Sequence, residues 1–455
     1  MHLRSKRELC RPSLDRILAA ILLIYAAIVF PALARAAKPV PSVSPAASST
    51  PVVTSATVEP ISSNPGAVNI ISGTGLLGRT IGLDEIPGIR LGGLWIVDAD
   101  YLITGGIKPR TWSFNSALML DLNLDAGKLL GIAGGSLGVE MLQFDGAPAN
   151  SKAGAVTGYD GLTEPKPLDR TELYELWWRQ SFFEDLLVLR VGKTLPTYDF
   201  NSVTRPVPTS DPSLSIPSVS GLIYTGVFKN PTIIGAMPGY YNSAYGITAT
   251  CNATRNLYLR YAVYDGSLAT GVQTGLREFP TFVGHYFTIG EAGYSYTLGE
   301  NTLPGMVAAG GWGETGRLHG GGENENGAEG FYTFGSQRLW REHPGVDNDG
   351  VSGFFQFGIN DSRTRIANEY FGMGFTGFGL IPRRPVDSIG TGVAWSWLNR
   401  IYGFRSNEAI IQLYYQAHLI GTTFFQPTLS YIPNPGANPG VPGALAITSQ
   451  LTVLF

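Results

Sequence analysis

The chain has 455 residues, 32 Lys and Arg against 35 Asp and Glu, 15% charged residues overall, 58 Gly and two Cys. Soluble domains average about 25% charged residues and about 7% Gly, and the aromatic content of 11% excludes a disordered chain. Two Cys exclude a disulfide-stapled scaffold, a net charge of −3 argues against a nucleic-acid binder, and the lack of repeated runs of about 20 apolar residues excludes a helical membrane bundle.

Residues 1–16 carry Arg4, Lys6, Arg7, Arg11 and Arg16, and the uncharged run Ile17–Phe30 follows. Ala32-Leu33-Ala34 and Ala34-Arg35-Ala36 complete the order of a secretory signal peptide over residues 1–36, with cleavage after Ala34 or Ala36. A membrane anchor would need a longer apolar run. Residues 1–34 hold five basic and two acidic residues, so their loss leaves a mature chain near −6. Cys10 precedes the apolar run and is not a lipoprotein acceptor. Cys251 then stands alone, and no intrachain disulfide can form. Residues 37–70 are rich in Pro, Ser and Ala and read as a linker.

From about Ile89 the chain becomes a series of segments with period-2 alternation, separated by Gly, Pro, Asn and Asp clusters. Sixteen are predicted: 89–103, 114–125, 134–145, 171–183, 186–196, 243–250, 256–265, 286–298, 304–313, 329–340, 350–360, 366–379, 388–397, 408–419, 422–432 and 444–455. In the second, Leu118, Leu120, Leu122 and Leu124 share one face, while Met119, Asp121, Asn123 and Asp125 share the other. The polar faces carry Gln, Asn, Thr, Ser and Tyr more than Lys and Glu. Tyr286, Tyr294, Tyr296, Phe424, Phe425 and Tyr431 sit near segment ends, as aromatic girdles would. Lipid permits a sheet only when it closes on itself. The fold expected is therefore all-β: a transmembrane antiparallel barrel of about sixteen strands over 89–455, preceded by a short N-terminal periplasmic segment over 71–88.

With the N-terminus in the periplasm, the long connections 146–170, 197–242, 266–285 and 314–328 face the exterior, and 184–185, 251–255, 299–303 and 420–421 form short periplasmic turns. A barrel of this size leaves an aqueous lumen. The loop 197–242, with Asp199, Arg205, Asp211 and Lys229, is long enough to fold into it.

A charge on the lipid face costs about 2–4 kcal/mol at the midplane, which assigns charged strand residues to the lumen. In the fourth segment Leu173, Glu175, Trp177 and Arg179 share a face, against the more apolar Tyr174, Leu176, Trp178 and Gln180. In the fifth, Leu187, Leu189 and Val191 face lipid and Arg190 faces inward, where it would lie opposite Glu175. Pore-lining and substrate-binding candidates are thus Glu175, Trp177, Arg179, Arg190, Asp121, Asn123, Glu140, Arg260 and Glu291. Sugars need paired donors and acceptors for their hydroxyls and an aromatic plate for their C–H faces, bound weakly enough to leave.

Several stretches resemble one family in collinear order over roughly 75–455. Arg170–Phe182 (RTELYELWWRQSF) resembles the R-x-L-Y-E-L-W-x-x-Q-S-F strand of the OprB-type carbohydrate-selective porins, with one residue inserted. LRVGK (189–193), EAGY from Glu291, GGWGETG (310–316), the strand Gly330–Trp340, GLIPRRPVD (379–387), Glu408–Tyr415 and NPGANP (434–439) resemble its further motifs. Gly75–Ile89 resembles its N-terminal segment without the usual Trp, and Arg383 stands where the family often has Gly. The resemblance implies a sixteen-stranded outer-membrane barrel of a Gram-negative bacterium, passing glucose-type sugars by facilitated diffusion. The implied partners are outer-membrane lipid, sugar, and the barrel-assembly machinery acting on the C-terminal strand that ends at Phe455. Monomer and homotrimer both fit, and no cofactor is implied.

A general diffusion porin is the nearest alternative. An outer-membrane hydrolase would need a nucleophile, base and orienter in reach. The mature chain offers His285, His319, His343 and His418 but no G-x-S-x-G, no H-E-x-x-H and no Cys/His metal spacing. No catalytic residue and no metal ligand is assigned.

Overall fold

A computed structural model describes residues 75–162, 169–201, 203, 230–233, 236–237, 243–266, 282, 284–299, 303–343 and 349–455. The signal peptide, the linker, residues 71–74 and the loop residues Arg205, Asp211 and Lys229 lie outside the described residues. Sixteen antiparallel strands close into one barrel in strictly sequential order. They are β1 (Ile89–Thr104), β2 (Thr111–Asp125), β3 (Gly135–Asp145), β4 (Arg170–Phe182), β5 (Leu187–Thr194), β6 (Ala244–Cys251), β7 (Leu257–Asp265) and β8 (Tyr286–Leu298). The second half comprises β9 (Leu303–Gly320), β10 (Glu323–Arg341), β11 (Gly350–Asn360), β12 (Ala367–Phe378), β13 (Ser388–Leu398), β14 (Asn407–Ile420), β15 (Thr423–Ile432) and β16 (Ala444–Leu454). A helical turn α1 (Leu76–Thr80) and a 3-10 turn (Leu83–Glu85) precede β1, and a second helical turn α2 (Ala126–Leu130) follows β2.

Closure runs through β1 and β16, from Leu94 opposite Leu454 to Thr104 opposite Leu445. Phe455 extends it, exchanging backbone hydrogen bonds with Gly93 at 2.7 and 2.9 Å. All sixteen predicted segments are present as strands, because outward alternation is a local property of each. Ile247, Leu259, Tyr261, Leu413 and Leu429 are exposed apolar side chains on the outer surface, which lipid covers.

Three local readings need correction. The span 314–328 is not a loop. β9 and β10 continue as a hairpin to a two-residue turn at Gly321 (φ 56) and Gly322 (φ 85), and positive φ at both central positions is the turn that matches strand twist. This extension is polar on both faces, so no apolar period announces it. Second, β4 carries a bulge, where Glu140 pairs with Glu175 but Met141 pairs with Leu173. The extra residue reverses the facing upstream. Leu173 therefore does not share the face of Glu175, and Tyr174 is buried inside the barrel with Leu142 and Phe144. Third, Phe424 points inward and is buried, although Phe425, Tyr286, Tyr294 and Tyr431 are exposed on the outer face.

The interior is far from uniformly polar. A large apolar cluster lies inside the ring and includes Tyr258, Phe287, Ile289, Met306, Trp312, Tyr332 and Phe334 from the strands. Phe200, Val203, Ile233, Ala236 and Met237, from the connection between β5 and β6, complete it. A strand buried on both faces reads apolar on both, and the wall from β7 to β10 does so because a chain segment covers its inner side.

Candidate functional site

The site is the lumen, and two inward segments shape it. The first begins just after β5, with the short helix α4 (Pro196–Asp199). Four strand residues hold it. Glu175 Oε1 accepts the Leu195 amide at 2.8 Å. Asp199 forms an ion pair with the Arg190 guanidinium, and its carbonyl accepts from Arg260 Nη1. Glu291 Oε2 accepts the Asn201 amide at 2.7 Å. The same connection runs along β11 at residues 230–233, where Asn360 Nδ2 donates to the Thr232 carbonyl at 2.7 Å. There Gly358 is required, since a Cβ on it would lie 2.3 Å from Asn230 Nδ2.

Each of these strand residues is supported in turn. Glu291 is buried and also accepts the hydroxyls of Tyr258 at 2.7 Å and Tyr332 at 2.8 Å. Arg260 lies over the rings of Tyr258 (5.3 Å) and Phe200 (5.7 Å), and its Nε donates to Thr250 at 3.0 Å. Trp177 donates its indole N–H to Glu175 Oε2 at 3.2 Å. Arg190 lies over one face of the Trp177 ring at 5.6 Å. Gly138 sits against the ring as well, since a Cβ there would come within 2.2 Å of it. Trp177 is 8% exposed, so it packs as a spacer and offers no open plate to a sugar face.

The register also changes one expected pairing. Arg190 lies opposite Arg179 on β4 and Thr248 on β6, not opposite Glu175, because the register of β4 and β5 sets it level with Arg179. Two like charges in direct opposition repel, and each finds its own carboxylate. Arg190 pairs with Asp199, and Arg179 with Asp185 at 3.1 Å on the rim that carries the chain termini.

The remaining candidates sit on the neighbouring wall. Asp121, Glu140 and Glu175 occupy one register row across β2, β3 and β4. All three are buried, and Asn123 of β2, opposite Arg90, keeps intermediate exposure. The structure thus gathers Glu175, Trp177, Arg190, Arg260 and Glu291 around one segment. Asp121, Asn123 and Glu140 lie beside it, and Arg179 lies at the rim.

A second inward segment went unread in the sequence. The chain after β3, including α3 (Ala149–Ala153), crosses from β3 to β14. Buried Glu408 of β14 accepts the amides of Val156 at 2.9 Å and Thr157 at 2.8 Å, the Thr157 hydroxyl at 2.5 Å and the Gly436 amide at 2.6 Å. Gln412 Nε2 donates to the Tyr159 carbonyl at 2.9 Å. Asn115 Nδ2 donates to Asp160 at 2.7 Å and to Asp100 at 3.1 Å. Burial, with Asp100 and Asp160 close by, pushes the Tyr159 phenol well above its ordinary pKa. Glu408, Gln412 and Asn360 are functional in this sense and were missed, because a loop anchor has no local period; Asp199 was expected only as a member of a loop long enough to fold inward. Glu408 alone carried a signal, as the first residue of a family-like motif.

Two other motifs are rim fasteners. Arg384 Nε donates to Asp387 at 2.6 Å, and its Nη2 donates to the His418 carbonyl at 2.7 Å. Burial raises the Asp387 pKa, but hydrogen bonds from Arg384, the Tyr415 hydroxyl and the His418 amide outweigh it and hold the carboxyl below its usual value. Glu314 of GGWGETG pairs with Arg365 of the β11–β12 connection. Among the described residues no group of three His, Cys, Asp or Glu is placed to hold a metal ion.

Comparison with known proteins agrees with this geometry. Residues 113–455 match the family model described as carbohydrate-selective porin, OprB family. The chain is 22% identical over 331 residues to Porin B of Pseudomonas aeruginosa, covering 62% of this chain and 68% of that protein. It is similar to the high-pH structure of Pseudomonas putida OprB, with a TM-score of 0.71 at 20% identity over 83% of this chain and 96% of that one. The low-pH structure of the same protein gives a TM-score of 0.54 at 17% identity, over 84% and 96%.

Proposed function

The chain belongs to the carbohydrate-selective porin family OprB, and from that premise we propose how its barrel admits sugars. It is an outer-membrane carbohydrate channel, a porin rather than an enzyme. The finer reading is facilitated diffusion of glucose-type monosaccharides through a lumen narrowed by the segment 195–201. One observation carries it: Glu175, Arg190, Arg260 and Glu291 all converge on that segment. A segment held at four points makes a constriction of fixed width, and pore selectivity comes from diameter together with lining groups. In this reading the four residues set the diameter, and Asn123, Asp121, Glu140 and Arg179 line the approaches.

The short turns Phe183–Leu186 and Gly421–Thr422 lie on the rim with the chain termini, which is the periplasmic rim by the usual asymmetry of these barrels. Export would follow removal of residues 1–34 or 1–36, and β16 ending at Phe455 would present the barrel to the assembly machinery. Residues 71–88, including α1, would sit at the periplasmic mouth.

Single-channel conductance with added glucose tests the reading. Conductance that glucose reduces, together with liposome swelling that is faster for monosaccharides than for neutral solutes of equal size, is the expected result. A conducting pore indifferent to sugar would leave a general diffusion porin, and no conductance would remove both.

A further inference from the structure

Three carboxyl groups stand side by side on the inner wall. Asp121 of β2 lies opposite Glu140 of β3, and Glu140 lies opposite Glu175 of β4. Residues paired in this way point to the same face, with Cβ atoms about 4.5–5.5 Å apart. All three are at most 3% exposed. Glu175 is engaged, since its two oxygens accept the Leu195 amide and the Trp177 indole N–H. Asp121 differs: neither of its oxygens accepts a hydrogen bond from another described residue.

The neighbouring cations do not balance the row. Arg90 of β1 acts on Asp121 electrostatically. Arg190 of β5 acts on Glu175 but is also paired with Asp199. Four carboxyl groups thus meet two guanidiniums. Arg79 is exposed at the rim, and the Arg170–Glu172 pair and Lys193 lie further along β4 and β5 toward the other rim. Like charges directly opposite one another repel, and buried charges are paired or coordinate a metal ion. No side chain fills the space beside Asp121 on β1, where the facing residue is Gly92. Asn123, two positions on along the same face, is half-buried, which gives the row a way to water.

We propose that Asp121 and Glu140 hold a hard divalent cation, of the Mg²⁺ or Ca²⁺ kind, on the inner wall beside the constriction. Carboxylate and water oxygens suit such ions. Mg²⁺ usually keeps several waters and takes only one or two carboxylates, so no third acidic ligand is required. Glu175 stays outside the coordination shell, because Leu195 and Trp177 already occupy its oxygens. The ion supplies the positive charge that the row lacks. It also screens Glu175 from Glu140, and through the Leu195 amide it steadies the segment 195–201. The site does not depend on which solute the channel passes.

The full-length barrel, refolded in neutral detergent and freed of metal with a chelator, is titrated with Mn²⁺, and the spin-resonance signal of the free ion reports binding. One saturable site is expected, displaced by Ca²⁺ or Mg²⁺, with a dissociation constant of about 10⁻⁴–10⁻³ M, as in extracellular calcium modules. Asp121→Asn and Glu140→Gln keep side-chain shape. Even changes outside the ligand shell weaken metal sites by about 10–100-fold, so each variant should lose about tenfold or more in affinity. The wild type decides if neither variant folds: an ion bound by the folded state alone raises the unfolding midpoint, so Ca²⁺ should raise it and sodium at equal ionic strength should not. A midpoint that Ca²⁺ does not move overturns the site. So does the lack of saturable binding, or equally tight binding in a folded Asp121→Asn variant.

Discussion

The wall from β4 to β10 and the wall of β15 and β16 face the same lumen yet are built on different rules. The first combines buried charges with large apolar side chains: Glu175, Arg190, Arg260 and Glu291 beside Phe287, Trp312 and Phe334. Its charges meet backbone groups of an inward segment, and its apolar groups meet Phe200, Ile233 and Met237. The second wall carries no inward charge of its own: Thr448 donates to Asp100 of the neighbouring strand, and Phe424 and Leu454 join a buried apolar cluster with Leu142, Phe144 and Tyr174. The difference teaches that a charge in a pore wall need not be a solute contact. A buried charge needs a partner, and here the nearest partner is often the chain itself.

Breaking the charged wall should have the largest effects. Glu291→Ala leaves the Asn201 amide and the hydroxyls of Tyr258 and Tyr332 without their acceptor. Each buried donor left unpaired costs about 1–3 kcal/mol. The expected result is a barrel that unfolds at lower denaturant concentration in lipid vesicles and shows noisy, enlarged single-channel currents. Stability and current like wild type would show that Glu291 is not an anchor. Asp199→Ala removes the ion pair with Arg190, so conductance should rise and, because a largely buried guanidinium loses its partner, the unfolding midpoint should fall as well.

The second inward segment gives an intermediate case. Glu408→Gln keeps the shape but replaces one carboxylate oxygen, which accepts only, with an amide that donates. Four donors converge on this group, so the loop 149–162 should become more accessible to protease from outside. Unchanged cleavage would show that this loop is held by Gln412 and Asn115 alone.

The smallest effects are expected at the periplasmic rim, which belongs to neither wall. Arg383 has φ 65 and is exposed. A left-handed conformation costs a non-glycine residue roughly 1–2 kcal/mol, partly offset because glycine loosens the unfolded chain. Arg383→Gly should therefore stabilise by about 0.5–1 kcal/mol, read as a shift in the denaturant midpoint. Nearby, Asp387 has its folded pKa below the unfolded value. Its contribution is complete above the ordinary aspartate value of about 3.9 and is lost as pH falls through the depressed folded value. Asp387→Asn should thus weaken stability at pH 7 and flatten its dependence below about pH 4. A variant with the same acid dependence as wild type would remove Asp387 from that role.

The sixteen strands were legible because lipid imposes alternation on every strand independently, whatever lies inside. Lumenal placement of Asp121, Glu140, Arg260 and Glu291 followed from the same rule. What those residues do was not legible, since the partner of Arg190 is nine positions on at Asp199 and that of Glu408 is about 250 positions back at Thr157. A clue lay in Phe287, Ile289, Tyr332 and Phe334, inward apolar residues on strands whose outer faces must also be apolar. A wall apolar on both sides requires cover from within. The bulge at Tyr174 carried no such clue, since one extra residue reverses a face without changing composition.

In the proposed reading the buried charges of β4 to β8 fix the width of the constriction by holding the segment 195–201. Single-channel conductance of Arg190→Ala, with glucose uptake measured on the same preparation, tests it most directly. Conductance should rise and larger sugars should pass faster, with glucose uptake retained. Unchanged conductance with selective loss of glucose uptake would contradict it and make Arg190 a sugar contact.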